Sequence, residues 1–147
     1  MPATRPPRAR RAATLVELLG AMALAALLAS VAILPARRLV DRITVRAAVD
    51  AIASACALAR GAAVMRGAHA VVTIDTAHAA VRVTVAGDTL LDRVLDPGGA
   101  LTLEATRDHV VYGPTGLGYG ASNTTVLARR GAAADTLVTS RLGRVRH

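Results

Sequence analysis

From Ala13 to Leu34 the chain runs 22 residues with a single charge, Glu17. A helix of that length, at about 1.5 Å per residue, reaches roughly 33 Å and matches the hydrocarbon core of a bilayer. A transmembrane helix is the direct reading. A secretory signal peptide, cut at the small residues near Ser30 and Ala32, is a second, and a buried core helix a third. Glu17 weighs among them. A carboxylate inside a membrane segment costs a few kcal/mol on insertion scales, so such a residue calls for a partner and a purpose.

Ahead of this run stands MPATRPPRARRA, residues 1–12, rich in Pro and Arg and short of the apolar residues that folding needs. The junction reads Ala12-Ala13-Thr14-Leu15-Val16-Glu17. That stretch resembles the cleavage motif of type IV prepilins and type II secretion pseudopilins. Their motif has a small residue before the cut, a large apolar residue after it, then Thr/Ser-Leu-Ile/Val-Glu. Thr14, Leu15, Val16 and Glu17 match position by position, while Ala12 stands for the usual Gly and Ala13 for the usual Phe or Met.

The resemblance implies that a prepilin peptidase cuts between Ala12 and Ala13 and that the new Ala13 amine is methylated. It gives Glu17 a role in assembly, pairing with the exposed amine of a neighbouring pilin subunit. It also implies a single pass through the inner membrane, a head in the periplasm, and a hetero-oligomeric filament. Charge counting does not fix this orientation. Arg5, Arg8, Arg10 and Arg11 precede the span, and Arg37, Arg38, Arg42 and Arg46 follow it, a tie.

Pro35 closes the apolar run and is expected to kink the helix. Beyond it Val45, Val49, Ile52, Cys56, Ala59 and Ala63 recur at spacings of four and three, one helical face. Arg42, Arg46, Asp50 and Arg60 lie off that face, with Arg46 and Asp50 at i,i+4. The helix is expected to stop at Gly67. From His69 the period becomes two. Strands are expected at 69–74, 80–85, 88–94, 101–103, 109–112, 124–127 and 136–139, joined by turn sequences such as Asp96-Pro97-Gly98-Gly99. The expected class is α+β: a long helix on a small antiparallel head. The divisions are 1–12 leader, 13–34 membrane segment, 35–66 amphipathic helix and 67–147 head.

The order of features is similar to the GspH/FimT group of pseudopilins and minor pilins. The resemblance rests on Ala59-Arg60, the strand at 72–74, Tyr112-Gly-Pro-Thr-Gly116, and Ser140-Arg141-Leu142-Gly143-Arg144-Val145-Arg146.

The net charge of +8 comes from Arg alone, and removal of residues 1–12 would halve it. In an extended chain Arg144 and Arg146 share a face. Arg129, Arg130 and Arg141 could join them, opposed locally only by Asp135. Guanidinium forks suit phosphate oxygens, so the tail could track double-stranded DNA. The bland reading is a last strand whose Arg side chains are solvated or touch a neighbouring subunit. With Tyr112 and Tyr119 the only aromatics, stacking on single strands is disfavoured.

One cysteine, Cys56, excludes an intramolecular disulfide and a cysteine zinc site, and its place in the apolar stripe reads as a buried small hydrophobe. The Gly113–Gly120 stretch lacks a phosphate-loop ending and reads as an inter-strand loop. His69, Asp75 and His78 straddle a turn without ligand spacing, and Ser30, Ser122 and Ser140 lack a nucleophile context. Neither an active site nor a cofactor site is expected. A rival of another class is a soluble periplasmic binding module released by signal peptidase.

Overall fold

The computed structural model describes residues 14–147, and the side chains of all of these but 31–34. Ala12, Ala13 and the Arg residues of the leader lie outside the described residues. Thr14 opens α1 (Leu15–Arg66). Its carbonyl and hydroxyl both accept from the Glu17 N–H, at 3.0 and 3.3 Å. Thr14-x-x-Glu17 is thus spelled as a capping box, and the acid falls in the first turn, where the helix dipole favours negative charge.

The chain divides into two compact units, one ending at Ala36 and the other running Arg37–His147. In the first, Leu15, Val16, Leu19, Met22, Leu24 and Leu28 are all exposed. They point around the whole circumference, and a helix apolar on every side needs an apolar surrounding. α1 has the length and composition to cross a membrane. Pro35 lies within α1 and does not end it.

In the second unit the expected stripe is buried from Val45 to Ala63, and Ala48 and Ala55 widen it. Ala on this face lets strands approach the helix axis closely. α1 stops where expected: Gly67 takes φ +60°, and the Ala68 N–H bonds back to the Ala63 carbonyl at 3.2 Å.

Eight strands follow. They are β1 (Ala70–Asp75), β2 (Ala80–Val85), β3 (Asp88–Val94), β4 (Thr102–Ala105), β5 (His109–Tyr112), β6 (Thr124–Arg130), β7 (Ala133–Thr139) and β8 (Val145–Arg146). Seven lie where the alternation of the sequence puts them; β8 is the addition. The strands form two antiparallel sheets of order β3-β2-β1-β5 and β4-β6-β7-β8. Hairpins join β1 to β3 and β6 to β8, but β4 and β5 do not pair with each other. β4 joins β6, while β5 returns to lie beside β1. Along β2, Val81, Val83 and Val85 face inward and alternate with Arg82 and Thr84. The helix stripe, both inner faces and Leu101 before β4 form one apolar cluster, with Tyr112 its largest fully buried side chain.

Candidate functional site

The last seven residues before His147 build a basic edge. β7 turns through Ser140–Gly143 into β8, with Val138 opposite Arg146 and Thr139 opposite Val145. The Gly143 N–H bonds to the Ser140 carbonyl at 2.8 Å and the Ser140 N–H to the Arg144 carbonyl at 2.9 Å. This is a three-residue hairpin loop, and its last position takes φ +74°, which Gly143 supplies without strain. Val145 packs against the core, so Arg144 and Arg146 face outward together, about 6.6 Å apart along the strand. Arg141, Arg144 and Arg146 are exposed and have no carboxylate within 4 Å among the described residues. The terminal His147 returns to α1, its Nε2 lying 3.2 Å from Asp50 Oδ1.

The edge is seated on a buried platform. The Gly143 carbonyl accepts from the Tyr112 hydroxyl at 3.0 Å and from Arg60 Nη2 at 2.5 Å. The Arg60 guanidinium lies over the Tyr112 ring, 5.4 Å from its centroid, a cation–π arrangement. Arg60 therefore departs from expectation. Its Cα lies off the apolar face, yet its long stem carries the charge inward, half-buried beneath the tail. A small cavity of about 190 Å³ between Cys56, Arg60, Tyr112 and Val145 marks the seat. Burial pushes the Tyr112 phenol up, and it stays neutral as a donor. Burial likewise pushes the Cys56 thiol up, in keeping with the expected inert hydrophobe.

Gly118 is the other contact that fixes this seat. A Cβ there would collide with the Arg141 carbonyl and stand 2.8 Å from the Gly143 N–H nitrogen. The Gly113–Gly120 stretch is consequently more than a connector. It is held by Gly113 N–H to Leu117 carbonyl and Tyr119 N–H to Val111 carbonyl, both 2.8 Å, and it braces the tail turn.

Arg130, grouped with the tail by sequence, is committed elsewhere. Its Nε donates to Asp41 Oδ1 and its Nη1 to both oxygens of Asp96, all at 3.1 Å. Asp96 also accepts from the backbone N–H of Gly98, Ala100 and Leu101 at 2.8–3.1 Å. Burial alone would raise the Asp96 carboxyl; the three N–H donors and the guanidinium outweigh it and hold the group below the usual carboxylate range. Two carboxylates offset the Arg130 charge and hold its side chain between Asp41 and Asp96, which sets it apart from the exposed Arg residues of the tail.

Arg129 is exposed but distant. It pairs with Ala134, whereas Arg146 pairs with Val138, about 13 Å further along β7. Asp135, expected to oppose the tail, bonds Arg46 at 3.4 Å instead. Arg46 also meets Asp50 at 3.7 Å, the i,i+4 pair read from sequence.

The remaining candidates are turn and surface groups. The carboxyls of Asp75 and Asp108 are held low by hydrogen bonds from His78 and His109, all in solvent. The His69 ring lies tilted at 55° against Tyr119, with ring centroids 4.4 Å apart. Ser122 is buried and donates to the Val111 and Tyr119 carbonyls. Among the described residues no three His, Cys, Asp or Glu side chains gather as a metal would require. Glu17 is exposed in the first unit. Thr14, its capping partner, was legible as the Thr of a Thr-x-x-Glu motif.

Comparison with known proteins gives two findings. A family model described as type II transport protein GspH matches residues 48–143. Two crystal forms of the type IV minor pilin FimU from Pseudomonas aeruginosa PAO1 share the fold. The first has TM-score 0.60 at 14% identity, covering 71% of this chain and 88% of FimU. The second has TM-score 0.55 at 15% identity, covering 69% and 90%. No curated protein sequence matches the chain.

Proposed function

The chain belongs to the GspH family of type II transport proteins, and from that premise we propose that it is a minor pilin or pseudopilin that works by assembly. It joins or primes a filament of type II secretion or of a type IV pilus, with its head in the periplasm. One observation carries this reading. The first part of α1, from Leu15 to Leu34, bears a single charge, the acid Glu17, while the core buries a face only of its later part, from Val45 to Ala63.

On this reading a prepilin peptidase removes residues 1–12, and the freed, methylated amine of Ala13 on one subunit pairs with Glu17 of another. In a low-dielectric setting an unpaired carboxylate is penalised far more than a paired one, so the acid favours correct register. The capped first turn supports this, because the helix dipole lessens the cost of carrying the acid before a partner arrives. The chain has no part in catalysis; its partners are other pilins and the inner membrane.

The test is Glu17→Ala in the native host. The variant is expected to insert and be cleaved normally, yet to appear in sheared filaments at a tenth of the wild-type level or less. Wild-type incorporation would refute the role of Glu17. Mass spectrometry of the mature product separates this reading from the soluble module: it starts at Ala13 for a pilin, near residue 33 for a protein released by signal peptidase.

A second reading adds capture of double-stranded DNA. It is supported by three exposed guanidiniums, Arg141, Arg144 and Arg146, that have no carboxylate partner among the described residues, on an edge seated by Tyr112 and Arg60. Arg129 is too far along the sheet to complete the same contact. Arg144→Gln with Arg146→Gln in residues 37–147 is expected to weaken duplex binding about tenfold at low salt and to lessen the salt dependence by about two counterions. An unchanged salt slope would remove the tail from DNA binding.

A further inference from the structure

The head side of the membrane segment carries Arg37, Arg38, Arg42 and Arg46, charges that oppose the leader in setting orientation. Only Arg46 is accounted for, by Asp50 and Asp135. Arg37, Arg38 and Arg42 are exposed and have no carboxylate within 4 Å among the described residues. Asp41, the nearest acid in sequence, is engaged by Arg130.

Helical spacing places Arg37 and Arg42 beside a second feature. Leu39, Val40 and Ile43 are 59%, 52% and 60% exposed. At 100° per residue they face away from the buried Val45–Val49–Ile52 stripe. Arg37 borders that apolar face on one side and Arg42 on the other, whereas Arg38 lies at the azimuth of Val45 and Cys56, one turn before Arg42 on the side turned toward the head. An outward apolar strip bordered by guanidiniums is the pattern of a helix whose greasy face meets acyl chains while its cations reach phosphates. Position agrees. Arg38 and Arg42 lie about 6 and 12 Å of helix beyond Leu34, and the polar layer of a bilayer begins where its apolar core ends. Both line a small cavity of about 50 Å³ with Asp41, Ala132 and Ala133, and Arg42 also borders an open cleft of about 400 Å³ against Ala132–Asp135. That is room for a headgroup.

We propose that Arg38 and Arg42, one helical turn apart, form a juxtamembrane site for the phosphate of an anionic phospholipid on the head side of the bilayer. The site rests on the reading of Ala13–Leu34 as a membrane anchor. It holds the subunit at a defined depth before assembly and sets the height at which its head waits.

The test uses the full chain in mild detergent, offered phosphatidylglycerol and phosphatidylcholine in equal amounts, with retained lipids counted by native mass spectrometry. Wild type is expected to retain phosphatidylglycerol preferentially. Arg38→Gln with Arg42→Gln is expected to reduce that preference at least tenfold, at about fivefold for each guanidinium. Arg93→Gln with Arg107→Gln removes the same charge from exposed sites on the strands and loops and is expected to leave the preference intact. Equal retention of the two lipids by wild type, or an undiminished preference in the Arg38/Arg42 variant, overturns the site. Flotation of the same proteins with neutral vesicles separates the causes. Chains that float without lipid preference refute the site alone, whereas chains that do not float refute the membrane anchor and the site with it.

Discussion

Gly143→Ala is expected to lower the unfolding midpoint of residues 37–147 by roughly 15 °C, a loss of about 3 kcal/mol. The added methyl would enter the ring of Tyr112 and stand 3.2 Å from the Gly118 nitrogen. Tyr112 is fully buried among core side chains and has nowhere to swing. The left-handed φ of +74° adds strain for any side chain. Relief requires the turn to lift, which breaks the bonds from Tyr112 and Arg60 to the Gly143 carbonyl and frees β8. Gly120→Ala is the control. It too has a positive φ, +66°, but nothing lies within 4 Å of its Cβ, so only about 1 kcal/mol is expected. Thermal unfolding followed by circular dichroism compares the two. Equal losses would show that backbone strain, rather than the Tyr112 seat, explains Gly143.

Asp96→Ala is expected to cost about 3–5 kcal/mol, the effect of removing one partner from a buried ion pair. The substitution strips acceptors from the Gly98, Ala100 and Leu101 N–H groups and leaves Arg130 with Asp41 alone. Asp135→Ala, which breaks the more exposed pair with Arg46, is expected to cost less than about 1 kcal/mol. The same hub sets a pH dependence. The folded Asp96 carboxyl is held below its unfolded value, so its contribution is present above the unfolded pKa and is lost as pH falls through the folded one. The stability of wild type against denaturant should therefore fall as the solution is acidified below about pH 4. In Asp96→Asn that acid-side slope should flatten. An unchanged slope would assign it to other carboxyls.

Much of this architecture is written in periodicity. Val45 to Ala63 keeps one face over five turns, and β1 and β2 alternate so cleanly that only one side of each can be buried. Such patterns are local, and local reading recovers them. What escapes it is pairing at a distance. Nothing in Thr102–Ala105 distinguishes a neighbour at β3 from one at β6, because register is decided by which faces meet across the core. The basic tail divides in the same way. Arg144 and Arg146 alternate with half-buried Val145, and that was legible. Arg130 has the same composition around it as Arg129, but it alone reaches Asp41 and Asp96, 89 and 34 residues away. Arg60 escapes for a different reason: the helical wheel locates its Cα, whereas its charge sits at the end of a long flexible stem.

The burial of Cys56 makes the molecule a clean vehicle for proximity chemistry. With its native thiol sheltered and reluctant to ionise, a cysteine introduced at an exposed position such as Leu142 or Leu39 becomes the reactive one. Crosslinks formed in living cells would then report which neighbour each side of the subunit meets, without first deleting a residue that the core needs.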